Sequence, residues 1–152
     1  MPTVLCIDDH ETGLSTRRLL LETKGYLVLT AANGHAGLDL LARHPDITVV
    51  ILDYSMPVFN GEQVAQAIRQ QWPAVGIIML SGYPELPQSS LHVSDVLIRE
   101  GASPLELLAA LERLTGERPT PKVPAEVERS RELIKKIGES FPRMPARKGK
   151  IE

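Results

Sequence analysis

The sequence predicts an α/β protein built on a doubly wound parallel sheet, and three observations carry that prediction. Short apolar runs alternate with longer segments of helical spacing. Runs such as TVLCI at 3–7 and ITVVIL at 47–52 lack polar alternation, as strands covered on both faces do. Acidic or hydroxyl residues stand at the carboxyl ends of these runs, the edge where open α/β sheets bind ligands.

The elements follow in regular order. Residues 3–7 form the first strand and residues 11–23 the first helix. Residues 26–30 give a second strand and residues 34–43 a second helix, which stops before Pro45. Residues 47–52 are the third strand. Residues 62–71 place Val64, Ala67, Ile68 and Gln71 on one face of a third helix, and residues 75–80 are a buried fourth strand. Between Leu80 and Asp95, Pro84 and Pro87 leave room for only a turn or two of a fourth helix. Residues 95–98 give the fifth strand. Ser103 then precedes Pro104 with Glu106 three positions on, the pattern of an N-cap, a first-turn proline and a capping box, opening a helix through Leu114.

Size and composition narrow the function. A chain of 152 residues with 43% apolar and 24% charged residues fits one soluble domain plus an appendage, with no room for a second full domain. The expected division is a domain over 1–116, a proline-rich linker over 117–124, and a tail over 125–152 with a short helix and a disordered end. No apolar run approaches the roughly 20 residues that cross a bilayer, and charges occupy the start where a signal peptide would be apolar, so a cytoplasmic protein is expected. Cys6, the single cysteine, lies in an apolar run and reads as a core residue. The net charge of −2 hides a basic tail, but its cations alternate with glutamates and lack aromatic partners, so DNA binding is not predicted.

The chemistry lies in carboxylates. Asp8 and Asp9 follow the first strand and Asp53 follows the third, and these strands flank the switch point of a sheet of order 2-1-3-4-5. Each pair about 5 Å apart would repel by roughly 3 kcal/mol at an effective dielectric of about 20, so the group holds protons or a cation. Hard oxygen donors around an open crevice suit Mg²⁺, beside which Asp53 can act as nucleophile toward a phosphoryl donor. Asp8 and Asp9 also suit helix capping, which can coexist with metal binding. Ser81 ends the fourth strand, where its hydroxyl can donate to a phosphoryl oxygen or simply begin a turn. His10, His35, His44 and His92 show no metal-ligand spacing and read as solvated or capping residues.

The pair Asp8-Asp9, the run DYSMPVFNG from Asp53 to Gly61 and the run IIMLSGY ending at Tyr83 resemble the receiver domains of bacterial two-component systems. The similarity covers about residues 3–115. The resemblance implies a flavodoxin-like receiver fold and names Asp53 as phosphoacceptor. It also implies Mg²⁺ on Asp9, Asp53 and the backbone carbonyl of Ser55, with Asp8 acting through water and Ser81 as switch hydroxyl. A histidine kinase or histidine phosphotransfer protein would be the donor, and a downstream protein the reader. Pro57 and Gly61 would shape the loop after Asp53, by fixing and freeing φ.

Two departures stand out. Receivers place a lysine after the fifth strand, whereas this chain reads LIREGASP. Counting back from the last helix puts Glu100 at that position, and counting along the strand puts Arg99 there. The aromatic residue expected on the fifth strand is replaced by Val96 or Leu97. The leading expectation is a single-domain, non-enzymatic response regulator, and the alternative is a pseudo-receiver that works by contact without phosphorylation. A phosphohydrolase would need a D-x-D nucleophile motif after the first strand, which DDHET does not supply.

Overall fold

The five apolar runs read as strands form five strands with ends shifted by at most one residue: β1 (Thr3–Ile7), β2 (Leu27–Ala31), β3 (Ile47–Asp53), β4 (Gly76–Ser81) and β5 (Val96–Arg99). A computed structural model describes residues 2–83, 85–116, 129–130 and 132–136. The strands form one parallel sheet in the order β2-β1-β3-β4-β5, as expected. Between them run the helices α1 (Glu11–Thr23), α2 (Gly34–Arg43), α3 (Gly61–Gln71), α4 (Gln88–Val93) and α5 (Pro104–Thr115).

The strands alternate their side chains between two apolar layers, which is why their sequences lack polar alternation. Val4, Cys6, Val49, Ile51 and Ile78 point to the layer shared with Leu14 and Leu21 of α1 and Leu107 and Leu111 of α5. Leu5, Ile7, Val50, Leu52 and Met79 point to the opposite layer, with Leu41 of α2 and Val64 and Ile68 of α3. Cys6 is fully buried, and burial pushes its thiol up to about 12, so it stays protonated packing material.

Helix ends show local chemistry. Asn60 and Gln63 make a reciprocal capping box that starts α3 at Gly61, one residue before the expected start. The capping box expected at Ser103 does not form. Its hydroxyl accepts from Leu105 N, while Glu106 N bonds to the Ser103 carbonyl. Gly116 closes α5 in the left-handed conformation at φ 69°.

The fourth helix has only six residues, as the prolines require. An arginine braces that side of the sheet. Arg69 donates to the carbonyls of Val93 and Val75 at 3.0 and 3.2 Å and to Asp95 Oδ2 at 2.7 Å. Asp95 Oδ2 also accepts from Ile77 N at 2.8 Å, so Asp95 precedes β5 as a bracket rather than opening it.

The chain divides into two compact units, Met1–Pro121 and Lys122–Glu152. Within the second, residues 129–130 and 132–136 are helical. The expected linker at 117–124 and the end of the chain lie outside the described residues. Among the described residues, no helix is long and apolar enough to cross a membrane.

Candidate functional site

Parallel strand ends place the acidic residues. Ile7 pairs with Leu52 in the register of β1 and β3, so Asp8, one step past β1, and Asp53, the last residue of β3, emerge side by side. Asp53 pairs with Leu80, which puts Ser81 one step further along the neighbouring strand. Ligand atoms of Asp8, Asp9, His10 and Asp53 all lie within 4.8 Å of one another. Three expected acids therefore converge, and His10 joins them.

Asp53 is only 3% exposed, and Ser55 N donates to its Oδ1 at 3.3 Å. Burial, then the charge of Asp8, and more weakly those of Glu100 and Asp9, raise its pKa to about 6, against the lowering effect of the Ser55 amide. Asp8 is also buried and is held from both sides. Its Oδ1 accepts from His10 N at 2.9 Å, and its Oδ2 faces both terminal nitrogens of Arg17 at 3.4 Å. Arg17 reaches it across Gly13, one helical turn earlier, where a Cβ would come within 3.3 Å of Asp8 Oδ2.

Neither Asp8 nor Asp9 caps α1. The N-cap is His10, whose side chain makes no capping bond. Its Nδ1 instead lies 3.1 Å from Asp9 Oδ1 and 3.3 Å from Asp8 Oδ1. The Asp8 hydrogen bond, followed by the Asp9 charge, raises the His10 pKa above its ordinary value. The sequence places His10 next to the acids but shows no metal-ligand spacing, and the contact with both carboxylates appears only in the fold. His35 stacks on Phe59, with ring centroids 4.9 Å apart.

The loop after Asp53 departs from the expected division of labour. Gly61 is needed for closeness rather than for freedom of φ, since a Cβ there would sit 2.6 Å from the Asp53 carbonyl oxygen and 2.7 Å from Tyr54 Cα. The left-handed residue is Val58, at φ 67° and 98% exposed. Ser55 lies at the exposed lip of the pocket.

Ser81 is buried, and its Oγ accepts from Tyr83 N at 3.0 Å. The turn reading therefore holds, while the hydroxyl proton remains able to donate. Tyr83 meets Tyr54 edge to face, with centroids 5.9 Å apart, so the aromatic residues beside the site come from the ends of β3 and β4 rather than from β5. Glu100 N donates to the Ser81 carbonyl at 2.8 Å, and the Glu100 carboxylate lies against Gly82. Of the two positions weighed after β5, Glu100 is the one whose charge acts to raise the Asp53 pKa. Arg99 pairs with Ser81 as the last residue of β5.

Comparison with known proteins fits this arrangement. A family model, the response regulator receiver domain, matches residues 4–96. The chain belongs to that family. Its fold resembles the receiver domain protein from Clostridium thermocellum, with a TM-score of 0.71, 28% identity, and 75% of this chain and 94% of that one covered. It also resembles the response regulator TrrA from Thermotoga maritima, solved with Mg²⁺-BeF, at a TM-score of 0.70 and 28% identity, covering 75% and 99%. In sequence it is 41% identical to the sensor histidine kinase GacS of Pseudomonas protegens over 45% of this chain and 7% of the kinase. It is 31% identical to the response regulator UvrY of Escherichia coli over 78% of this chain and 56% of UvrY. The chain thus spans under a tenth of the sensor kinases it matches, GacS and LuxN, at 7% and 9%. Receiver domains are signalling modules of two-component systems and take Mg²⁺ at an acidic pocket. In this receiver Asp8, Asp9 and Asp53 form such a pocket.

Proposed function

We propose that this receiver is a phosphoacceptor, with Asp53 as the residue modified. The observation that carries the reading is the Asp53 carboxylate: almost fully buried, at the end of a central strand, with two further acids in ligand range. Asp53 attacks the phosphorus of a phosphohistidine on a histidine kinase or phosphotransfer protein. The P–N bond breaks, the freed imidazole takes up a proton, and an acyl phosphate remains on Asp53.

The donor set fits a hard divalent cation, because desolvated carboxylates this close are costly without a counter-charge. Asp9, Asp53 and the Ser55 carbonyl would hold Mg²⁺, with Asp8 acting through water. Bound there, the ion neutralises charge on the entering phosphoryl oxygens. Ser81 donates its hydroxyl to a phosphoryl oxygen, and the altered surface is read by a downstream protein. The tail beyond residue 116 is proposed as a separate basic appendage.

One observation favours a second reading. The Glu100 charge acts on Asp53, and an anion so felt would oppose a phosphate there, which suits a pseudo-receiver that signals by contact alone. Incubation with Mg²⁺ and acetyl phosphate, followed by mass spectrometry, decides between them. A single adduct lost in Asp53→Asn supports phosphoacceptance, no adduct supports the pseudo-receiver, and catalytic phosphate release overturns both.

A further inference from the structure

We infer that Arg17 is a positioning residue for phosphoryl transfer: through Asp8 it delivers, from α1, the counter-charge that the position after β5 lacks. The inference rests on the proposed phosphoacceptor reading and adds a residue to it.

Contact is the first argument. Arg17 Nη1 and Nη2 both lie 3.4 Å from Asp8 Oδ2. Oδ1 of the same carboxylate accepts from His10 N at 2.9 Å, so both Asp8 oxygens are held by donors of this chain. The place of that acid beside Asp53 is set by α1 and the turn that enters it.

Burial is the second. The two side chains are 16% and 7% exposed, unlike the solvated surface pairs that contribute little. A desolvated carboxylate without a partner is strongly unfavourable, and the guanidinium supplies one. His10 also lies beside Asp8, but its ring is 74% exposed and its charge depends on protonation, whereas Arg17 keeps its charge at any working pH. Gly13, one turn before Arg17, leaves room for the pair, since a Cβ there would stand 3.3 Å from Asp8 Oδ2 and 3.9 Å from Arg17 Nη2. Glycine inside a helix is disfavoured, yet α1 carries it at this place.

The third argument is the charge count. Asp8, Asp9 and Asp53 converge, Glu100 adds its charge to theirs, and a phosphoryl group brings nearly two more. Arg17 and Glu100 line one cavity of about 350 Å³ between α1 and the start of α5, with Leu80, Ile98 and Leu107 among its apolar walls. Those walls limit the water that would screen either charge. A cation is therefore present next to the acids, but it sits on Asp8 rather than after β5.

The competing account is that Arg17 merely fastens α1 to the end of β1. The two accounts differ in sign. Removing a counter-charge favours a bound cation and disfavours a bound anion, whereas loosening Asp8 weakens both. Calorimetry on the full chain reads the two, first with Mg²⁺ alone and then with beryllofluoride at saturating Mg²⁺. Arg17→Met should bind Mg²⁺ about fivefold more tightly and beryllofluoride about fivefold more weakly, while Arg17→Lys should stay within about twofold of the parent for each. The initial rate of Asp53 phosphorylation by acetyl phosphate at saturating Mg²⁺ should fall with the beryllofluoride affinity. Circular dichroism verifies each fold, and Arg17→Gln gives the same two readings if the methionine variant does not fold. Weakening of both ligands, no change in either one, or Arg17→Lys behaving as Arg17→Met overturns the inference while the phosphoacceptor reading stands. A parent that takes up neither beryllofluoride nor a phosphoryl group overturns that reading, and this inference with it.

Discussion

The Glu100 carboxylate lies over Gly82, where a Cβ would come within 2.8 Å of Oε2, and from there its charge raises the proton affinity of Asp53. A phosphoryl group brings nearly two negative charges, so this anion opposes the product of phosphorylation. Glu100→Lys is therefore expected to raise the affinity for beryllofluoride, or the extent of phosphorylation at fixed Mg²⁺, by about tenfold or more. Titration of the mimic against both proteins measures this, and equal affinities would refute it.

A second expectation concerns pH. Asp53 has its pKa raised from 3.8 to about 6, so the folded state binds this proton more tightly than the unfolded state does. Stability from this group is full below about 4 and is lost as pH rises through about 6. Metal requires the ionised form, so added Mg²⁺ should raise the melting temperature more at pH 7.5 than at pH 5, and Asp53→Asn should flatten that difference. Thermal melts with and without Mg²⁺ at the two pH values check it.

Val58 holds a left-handed backbone with its side chain in solvent, so nothing packs against it to offset the strain. Val58→Gly should stabilise the fold by about 1 kcal/mol, the relief exceeding glycine's entropic cost. Chemical denaturation should show a higher midpoint with an unchanged slope.

Arg69 brackets the ends of three elements through Val75, Val93 and Asp95. Arg69→Met should cost about 2 kcal/mol, since it strips partners from two carbonyls and from a half-exposed carboxylate. Asp95→Ala should cost a similar amount by leaving Ile77 N unpaired. The double variant should lose less than the sum, because the two residues share one bracket.

Much of this molecule is legible in its sequence because both-face burial writes strands as unbroken apolar runs, and strand ends then locate Asp8, Asp9, Asp53 and Ser81. Boundaries slipped by a residue where side chains rather than ladder bonds decide. Asp95 looked like the start of β5 but serves Arg69 and Ile77 N. Tyr26 is buried beside β2 without joining it. Ser103 and Glu106 had the letters of a capping box, yet the bond is made by backbone. Arg17 meets Asp8 over Gly13, one turn earlier on α1, a relation that needs the helix to be built first. Arg99 and Glu100 are equally good by counting, and the electrostatic effect of Glu100 on Asp53 depends on the packing of the loop against Gly82, which no spacing shows.

Gly61 presses on the backbone of Asp53 and Tyr54 so closely that no methyl group fits between them. On that side the first residue of α3 packs directly on the backbone of Asp53. Beyond Ser81 the chain runs instead through Gly82 into a two-proline connection and a helix of only six residues. The two flanks of the Asp53 carboxylate thus differ: backbone pressed on backbone toward α3, and toward β4 a serine followed by a glycine and, further on, a helix of under two turns.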